Sequence, residues 1–175
     1  ATMAPKLLEI SEWQADIIAL QETRLSSVGQ IKAGSRMKEE QWQTYFGKPT
    51  QAKETKAKVA SATNASKGGV ALASKVGTPT KRAAFDFDTG MLRDQCRWEE
   101  ITPALGRGNR HMKVASIYGF DGAAGDAERF RLNEDLLARA CRRALEAGDT
   151  PYVMCGDFNI LPQESAAIAK LISRG

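Results

Sequence analysis

No apolar run in this chain of 175 residues approaches the ~18 needed to cross a bilayer, so a membrane-spanning helix is not expected. The opening stretch, Ala1 to Lys6, is not a charged start followed by an apolar core, so no secretory leader is read there. Cysteine is scarce. Cys96, Cys141 and Cys155 lie far apart and form no C-x-x-C pair, which excludes a zinc knuckle or a disulfide framework. Reduced thiols in an intracellular compartment are then the expectation, with the nucleus among the compartments open to the chain. Histidine occurs once, as His111, at the expected start of a strand, where it should be exposed. No internal repeat and no domain linker interrupts the chain. Residues 50–67 have almost no large apolar side chains, so they cannot bury enough surface to order themselves and read as a flexible basic loop.

The residues present describe an ordinary globular protein, 42% hydrophobic and 26% charged, of a length that makes one domain or most of one. Net charge is +4, unevenly spread. Residues 32–82 hold eleven Lys/Arg against three Glu, a net +8, which leaves −4 for the remainder. Such asymmetry suits a surface that meets a polyanion, with Lys53, Lys56, Lys58 and Lys67 as the candidate contacts. A solvated loop carrying lysines for solubility has the same composition.

Hydrophobic spacing orders the elements. "PKLLEISEWQ" reads as a short amphipathic helix, and "ADIIALQE" as a buried strand ending near Gln21–Glu22. Residues 26–41 read as a polar loop with a short helix. "WQTYFG" and "GGVALAS" read as strands. "KRAAFDFDTG" and "DQCRWEEIT" read as two more, with a turn around Gly90, and "HMKVASIYGF" as another after a turn holding Gly106 and Gly108. Between Asp126 and Ala147, Phe130, Leu132, Leu136, Leu137, Ala140, Cys141, Ala144 and Leu145 recur at helical spacing until Gly148 stops the helix. A buried strand, "PYVMCGDF", and a helix from about Gln163 to Ser173 finish the chain. Several strands follow one another without helices, so the sheet cannot be all parallel. The order favours two packed sheets with helices outside. Trp13, Trp42 and Trp98 are expected in the core, although Trp42, near the lysine-rich loop, could stack on a base.

The chemistry sits at strand ends. Glu22 and Asp157 each close an apolar strand, where a side chain can be polar without being buried unpaired. Two carboxylates brought together repel unless a positive charge separates them. A hard divalent cation does this, and Mg²⁺ takes few carboxylates together with waters and phosphate oxygens. Asn159, two residues beyond Asp157, adds a neutral donor. The set suits phosphoryl transfer: a polarised phosphate, an oriented water and an amide facing the developing charge. Each piece alone has a plainer reading. G-D-x-N is a common turn, Glu22 can pair with Arg24, and Tyr118 can be a core aromatic.

"IIALQETRL", "GGVALAS", "IYGF" and "VMCGDFNILP", in that order across residues 16–164, resemble the endonuclease/exonuclease/phosphatase superfamily, and within it abasic-site endonucleases and the endonuclease domains of non-LTR retroelements. The resemblance implies an α/β fold, a four-layer sandwich with two packed mixed sheets and helices on the outer faces. It implies Mg²⁺-dependent hydrolysis of phosphodiesters, with Mn²⁺ as a substitute, by a monomer acting on DNA or another phosphodiester substrate. By position, Glu22 resembles the metal-binding glutamate and Tyr118 the tyrosine that contacts the scissile phosphate. Asp157 resembles the aspartate that orients or activates water, and Asn159 the asparagine that hydrogen-bonds the phosphate.

The chain also departs from that pattern. No strand bearing an asparagine precedes Glu22, and no "SDH" strand follows "GDFN"; His111 is not the histidine of that strand. The resemblance therefore implies an incomplete copy, one partial domain over residues 1–175, with weak turnover as it stands. A relic that binds nucleic acid without cutting it, and a lipid or inositol-phosphate phosphodiesterase of the same superfamily, are the alternatives.

Overall fold

The computed structural model describes residues 14–49, 68–84, 86–106 and 110–174. Within them seven strands form two sheets. Strands β1 (Ile17–Leu20), β2 (Trp42–Phe46) and β3 (Ala71–Lys75) build one, in the order β1-β3-β2. Strands β4 (Thr80–Arg82), β5 (Trp98–Pro103), β6 (Lys113–Tyr118) and β7 (Tyr152–Asp157) build the other, in the order β4-β5-β6-β7. The first sheet is antiparallel throughout. In the second, β6 and β7 run parallel, so mixed direction is confined to that sheet. A parallel pair needs a crossover, and the 19-residue helix α3 (Ala127–Leu145) provides it. The other helices are α1 (Ser27–Glu39), α2 (Phe87–Asp94) and α4 (Ala166–Ile172).

Alternation along the strands generates the layers. On one face of the first sheet, Ile18, Ala73 and Trp42 pack with Met37 of α1. From the opposite face Leu72, with Ile17, Ala19 and Tyr45 beside it, meets Ile101 and Val114 of the second sheet. The far face of that second sheet presents Trp98, Ala115 and Ile117 to Leu92 of α2, Leu136, Leu137, Ala140 and Cys141 of α3, and Ala167 and Ile168 of α4. The stack is helix, sheet, sheet, helices, the four-layer arrangement expected from the sequence.

Two adjacent carboxylates, Glu99 and Glu100, are wholly buried in β5. Being neighbours on a strand, they point to opposite faces, and each finds cations there. Glu99 pairs with Arg82 and Arg93, while Glu100 pairs with Arg143 and accepts from Tyr152 Oη at 2.7 Å. Charges buried in this way persist because they are paired and hydrogen-bonded.

The structure corrects several boundaries. The strand expected over 81–90 is only the three residues of β4, and α2 follows it. Phe and Asp alternate in "FDFD" as in a strand, yet Asp86 accepts from Thr89 N while Thr89 Oγ1 accepts from Asp86 N, both at 2.8 Å. That reciprocal cap starts a helix, with Gly90 inside it. Helix α1 runs 13 residues, longer than the short helix expected, because only Ala33 and Met37 are buried and its apolar stripe is faint. Strand β7 was expected to be buried. It lies at the edge of its sheet among the described residues, and Val153 is 43% exposed. The last helix begins at Ala166, after a 3₁₀ turn over Pro162–Glu164. The helix expected before β1, Trp13, and the basic loop over 50–67 lie outside the described residues.

Leu136 sits at the centre of the larger core with no exposed surface. Leu136→Ala should lower stability by about 2–5 kcal/mol through lost contacts and a residual cavity, read as a lower midpoint in urea unfolding with an unchanged slope.

Candidate active site

At one end of the sandwich the chain leaves both sheets within a few residues. After β1, Gln21 Nε2 donates to Ser116 Oγ at 2.9 Å, so the first sheet is fastened to β6 of the second. Glu22 and Arg24 then adopt left-handed backbone, with φ of 51° and 47°. Non-glycine residues take this conformation at a cost, so surrounding bonds must hold it. They do: Thr23 N donates to Gly69 O at 2.9 Å, and Arg24 N to Gly68 O at 3.1 Å. Glu22 is thereby turned toward the second sheet with its side chain 44% exposed.

Tyr118 ends β6 and is 2% exposed. Its hydroxyl reaches both Glu22 Oε1 and Asp121 Oδ1. Burial, reinforced by these two carboxylates, holds the phenol well above its usual range, so Tyr118 keeps its proton at neutral pH and acts as a donor. Among the described residues the other oxygen of Glu22, Oε2, meets only the exposed guanidinium of Arg24.

Asp157 is the register partner of Tyr118 on β7 and is exposed. Gly156, before it, has φ 146°, and a Cβ there would lie 1.9 Å from Ile117 O, so no side chain fits where β7 crosses β6. Asp157 Oδ1 accepts from Asn159 N at 3.0 Å, which is a local turn of the kind G-D-x-N suggests. Asn159, with φ 52°, donates from Nδ2 to Gly119 O at 3.1 Å. One hydrogen of its carboxamide is used there, and one is left.

Helix α3 locks the two site loops together. Asn133 is fully buried; its Oδ1 accepts from Phe120 N and its Nδ2 donates to Phe158 O, both at 2.9 Å. The loop after β6 and the loop after β7 are therefore held by one side chain. They pass so closely that a Cβ at Gly119 would lie 2.2 Å from Phe158 O.

The structure thus brings Glu22, Tyr118, Asp157 and Asn159 to one end of the two sheets. Glu22 touches Tyr118, and Asp157 and Asn159 stand beside it. Tyr118 is buried, and its hydroxyl faces Glu22 and Asp121. Lys53, Lys56, Lys58 and Lys67 lie outside the described residues. Two other cations of the basic segment are engaged within the chain: Lys48 on Asp94 at 2.7 Å and Arg82 on Glu99. Trp42 is 2% exposed, with Lys75 over its ring, and has no free face for a base. His111 is exposed at a bridge to Ala104, as expected. Burial raises all three thiols, Cys141 up to about 11, which makes them poor nucleophiles.

Sequence reasoning missed Asp121, Asn133 and Arg97. Asn133 had a signal, being a polar residue on the apolar stripe three positions after Phe130. Asp121 lies three residues past Tyr118 in a loop, where an acidic residue is ordinary. Arg97 is a lone cation at a strand start and carries no signal at all.

Two stacked sheets with helices on the outer faces define the class of four-layer α/β sandwich domains. A sequence profile of the Endonuclease/Exonuclease/phosphatase family matches residues 7–174, and the chain belongs to that family. No curated protein sequence matches it. Among solved structures it is similar to a 3'-5' exonuclease (NExo) from Neisseria meningitidis, with a TM-score of 0.60 at 17% identity over 98% of this chain and 64% of that one. It is similar to the human Nocturnin catalytic domain with bound sulfate, with a TM-score of 0.59 at 18% identity over 95% of this chain and 59% of that one. The Xenopus laevis APE2 catalytic domain gives 0.55 at 15% identity over 99% and 62%. At such identities the likeness is one of fold, and the chain spans about three fifths of each neighbour.

Asn133→Leu keeps the branched shape and removes both bonds, leaving Phe120 N–H and Phe158 C=O without a partner. At ~1–3 kcal/mol for each of the two stranded groups, urea unfolding should show a loss of about 2–6 kcal/mol, more than the substitution of an exposed Asn would give.

Proposed function

We propose that this chain is a phosphodiesterase that acts on nucleic acid, with DNA as the substrate and a divalent cation, Mg²⁺ or Mn²⁺, as cofactor. The observation that supports it is the meeting of Glu22 and Tyr118 across two sheets, beside Asp157 and Asn159. Membership of a family of nucleases and phosphatases supports the hydrolytic class. The finer reading, a DNA endonuclease working inside the cell as a monomer, rests on the resemblance of "LQE" and "GDFN".

The residues fit a hydrated cation. No group of three or more His, Cys, Asp or Glu among the described residues could form a cage. Mg²⁺, however, is commonly held by one or two carboxylates and completes its shell with water and phosphate oxygens. Glu22 offers such an arm, since Oε2 is covered only by an exposed arginine, and surface pairs of that kind are worth about 0–1 kcal/mol. When bound, the cation would polarise a phosphate oxygen and offset its charge.

The chain's own groups supply the rest. The Tyr118 hydroxyl donates to a non-bridging phosphate oxygen. Asp157 keeps Oδ2 for a water, since Oδ1 is taken by Asn159 N; as general base it takes that water's proton as the oxygen bonds to phosphorus, while the opposite P–O bond breaks and the leaving oxygen takes a proton from solvent. The second hydrogen of the Asn159 carboxamide donates to the phosphate as charge develops.

Asp157→Asn should lower the rate of plasmid nicking in Mg²⁺ by about 10²–10⁴-fold. Glu22→Gln should weaken Mg²⁺ binding, followed by calorimetry, by about tenfold or more, with both variants as stable as the parent. Nicking that persists in Asp157→Asn, or Mg²⁺ affinity unchanged in Glu22→Gln, would overturn the reading.

A further inference from the structure

Among the described residues, Arg97 is the largest buried charged side chain, and the steps above leave it unused. It is 2% exposed and forms no ion pair among the described residues. Arg82 of β4, Arg93 of α2 and Arg143 of α3, the arginines paired with the acidic residues of β5, all sit on carboxylates. A guanidinium buried without one is costly, and an apolar side chain of similar volume would fill the space more cheaply. The charge is retained against that cost.

Its contacts run into the site. The guanidinium lies 4.8 Å from the centroid of the Tyr118 ring and 4.2 Å from that of Phe120, within cation–π range of both. Nη1 donates to Tyr118 O at 3.2 Å and to Gly119 O. The main chain of Arg97 accepts from Tyr118 N at 2.9 Å, so both peptide groups of Tyr118 are fastened to the same residue. Gly119 O is shared, because it also accepts from Asn159 Nδ2. Through one carbonyl, Arg97 therefore bears on the carboxamide as well as on the phenol. The acidic side chains that face it, Glu22 and Asp121, are those on the Tyr118 hydroxyl; Cys96 precedes it in the chain.

We propose that Arg97 is a positioning residue of this site. It stacks on the Tyr118 ring to set the direction of the hydroxyl, holds Gly119 O where Asn159 needs it, and keeps a permanent positive charge behind the phenol. The proposal rests on the phosphodiesterase reading for its catalytic consequence but not for its geometry. A planar guanidinium stacked against two rings has no equivalent in lysine, whose ammonium can bond carbonyls but cannot stack. Misplacement of a catalytic group by an ångström lowers rates by about a hundredfold.

The test compares Arg97→Lys and Arg97→Met in the full chain. Kinetics are read on a duplex oligonucleotide. Arg97→Lys, which keeps the charge and loses the fork, should lower kcat about ten- to a hundredfold and leave KM within about twofold. Arg97→Met, which loses the charge, should lower kcat at least as much and also raise KM. A purely structural arginine would lower the melting temperature and leave kcat and KM of the folded protein unchanged, which overturns the proposal. A second arm does not need turnover. The chain has three tyrosines, and ring-¹³C labelling with Tyr118→Phe for assignment isolates the Tyr118 signal. In Arg97→Lys that signal should shift well beyond those of Tyr45 and Tyr152. If the parent hydrolyses nothing, the phosphodiesterase reading fails and this arm decides alone; a Tyr118 signal unmoved by Arg97→Lys then rejects the positioning role. Should Arg97→Met not fold, Arg97→Lys carries both arms.

Discussion

One hydroxyl joins the two halves of this molecule. Tyr118 belongs to the second sheet, Glu22 to the first, and the bond between them closes the open end of the sandwich. Around it the backbone is forced into conformations that ordinary residues avoid. Glu22, Arg24 and Asn159 have positive φ, as does Cys96 just before Arg97. Such residues persist only where neighbours over-determine them. Here those neighbours are Gly68, Gly69, Gly119 and Asn133, each of which makes a main-chain or side-chain bond that fixes a site loop. Folding strain and functional geometry occupy the same few residues.

What could be read from the sequence follows from what kind of force decided each element. Strands β1, β3 and β6 and helix α3 were legible because burial decided them, and burial leaves a period. Helix α2 was not, because a reciprocal pair of hydrogen bonds at Asp86 and Thr89 decided it, and two polar residues three apart look like any loop. Helix α1 was under-read for a related reason, since two buried residues in thirteen leave almost no stripe. The edge position of β7 was invisible, because "YVMC" is apolar whether or not a neighbour covers it.

The site was legible to a similar degree. Glu22, Asp157 and Asn159 stood out as polar residues where apolar strands stop. That they meet could not be read from spacing, because it depends on two sheets stacking in one particular register. The supporting residues were less legible still. Asp121 contributes a second carboxylate to a hydroxyl that already has one, and Arg97 acts on Tyr118 from beneath. Both are defined by what lies beside them in space, and neither by what lies beside them in the chain.

The charges at this end bear on the proposed cofactor. Glu22 and Asp121 share one phenol, whose single proton can be donated to only one oxygen at a time, and Asp157 lies on the neighbouring strand. The compensating cations are Arg24, which is exposed and screened by water, and Arg97, which is shielded behind an aromatic ring. A phosphodiester is itself an anion. Approaching this cluster it would meet like charge at short range, a repulsion worth ~1 kcal/mol per pair in water and several times more as the surroundings dry. Neither arginine can offset that alone, one for want of a fixed position and the other for want of access. The proposed divalent cation on Glu22 supplies mobile positive charge where the protein has none. On this view Arg97 and the cation divide the work: the buried charge fixes the donors in place, and the soluble one admits the substrate.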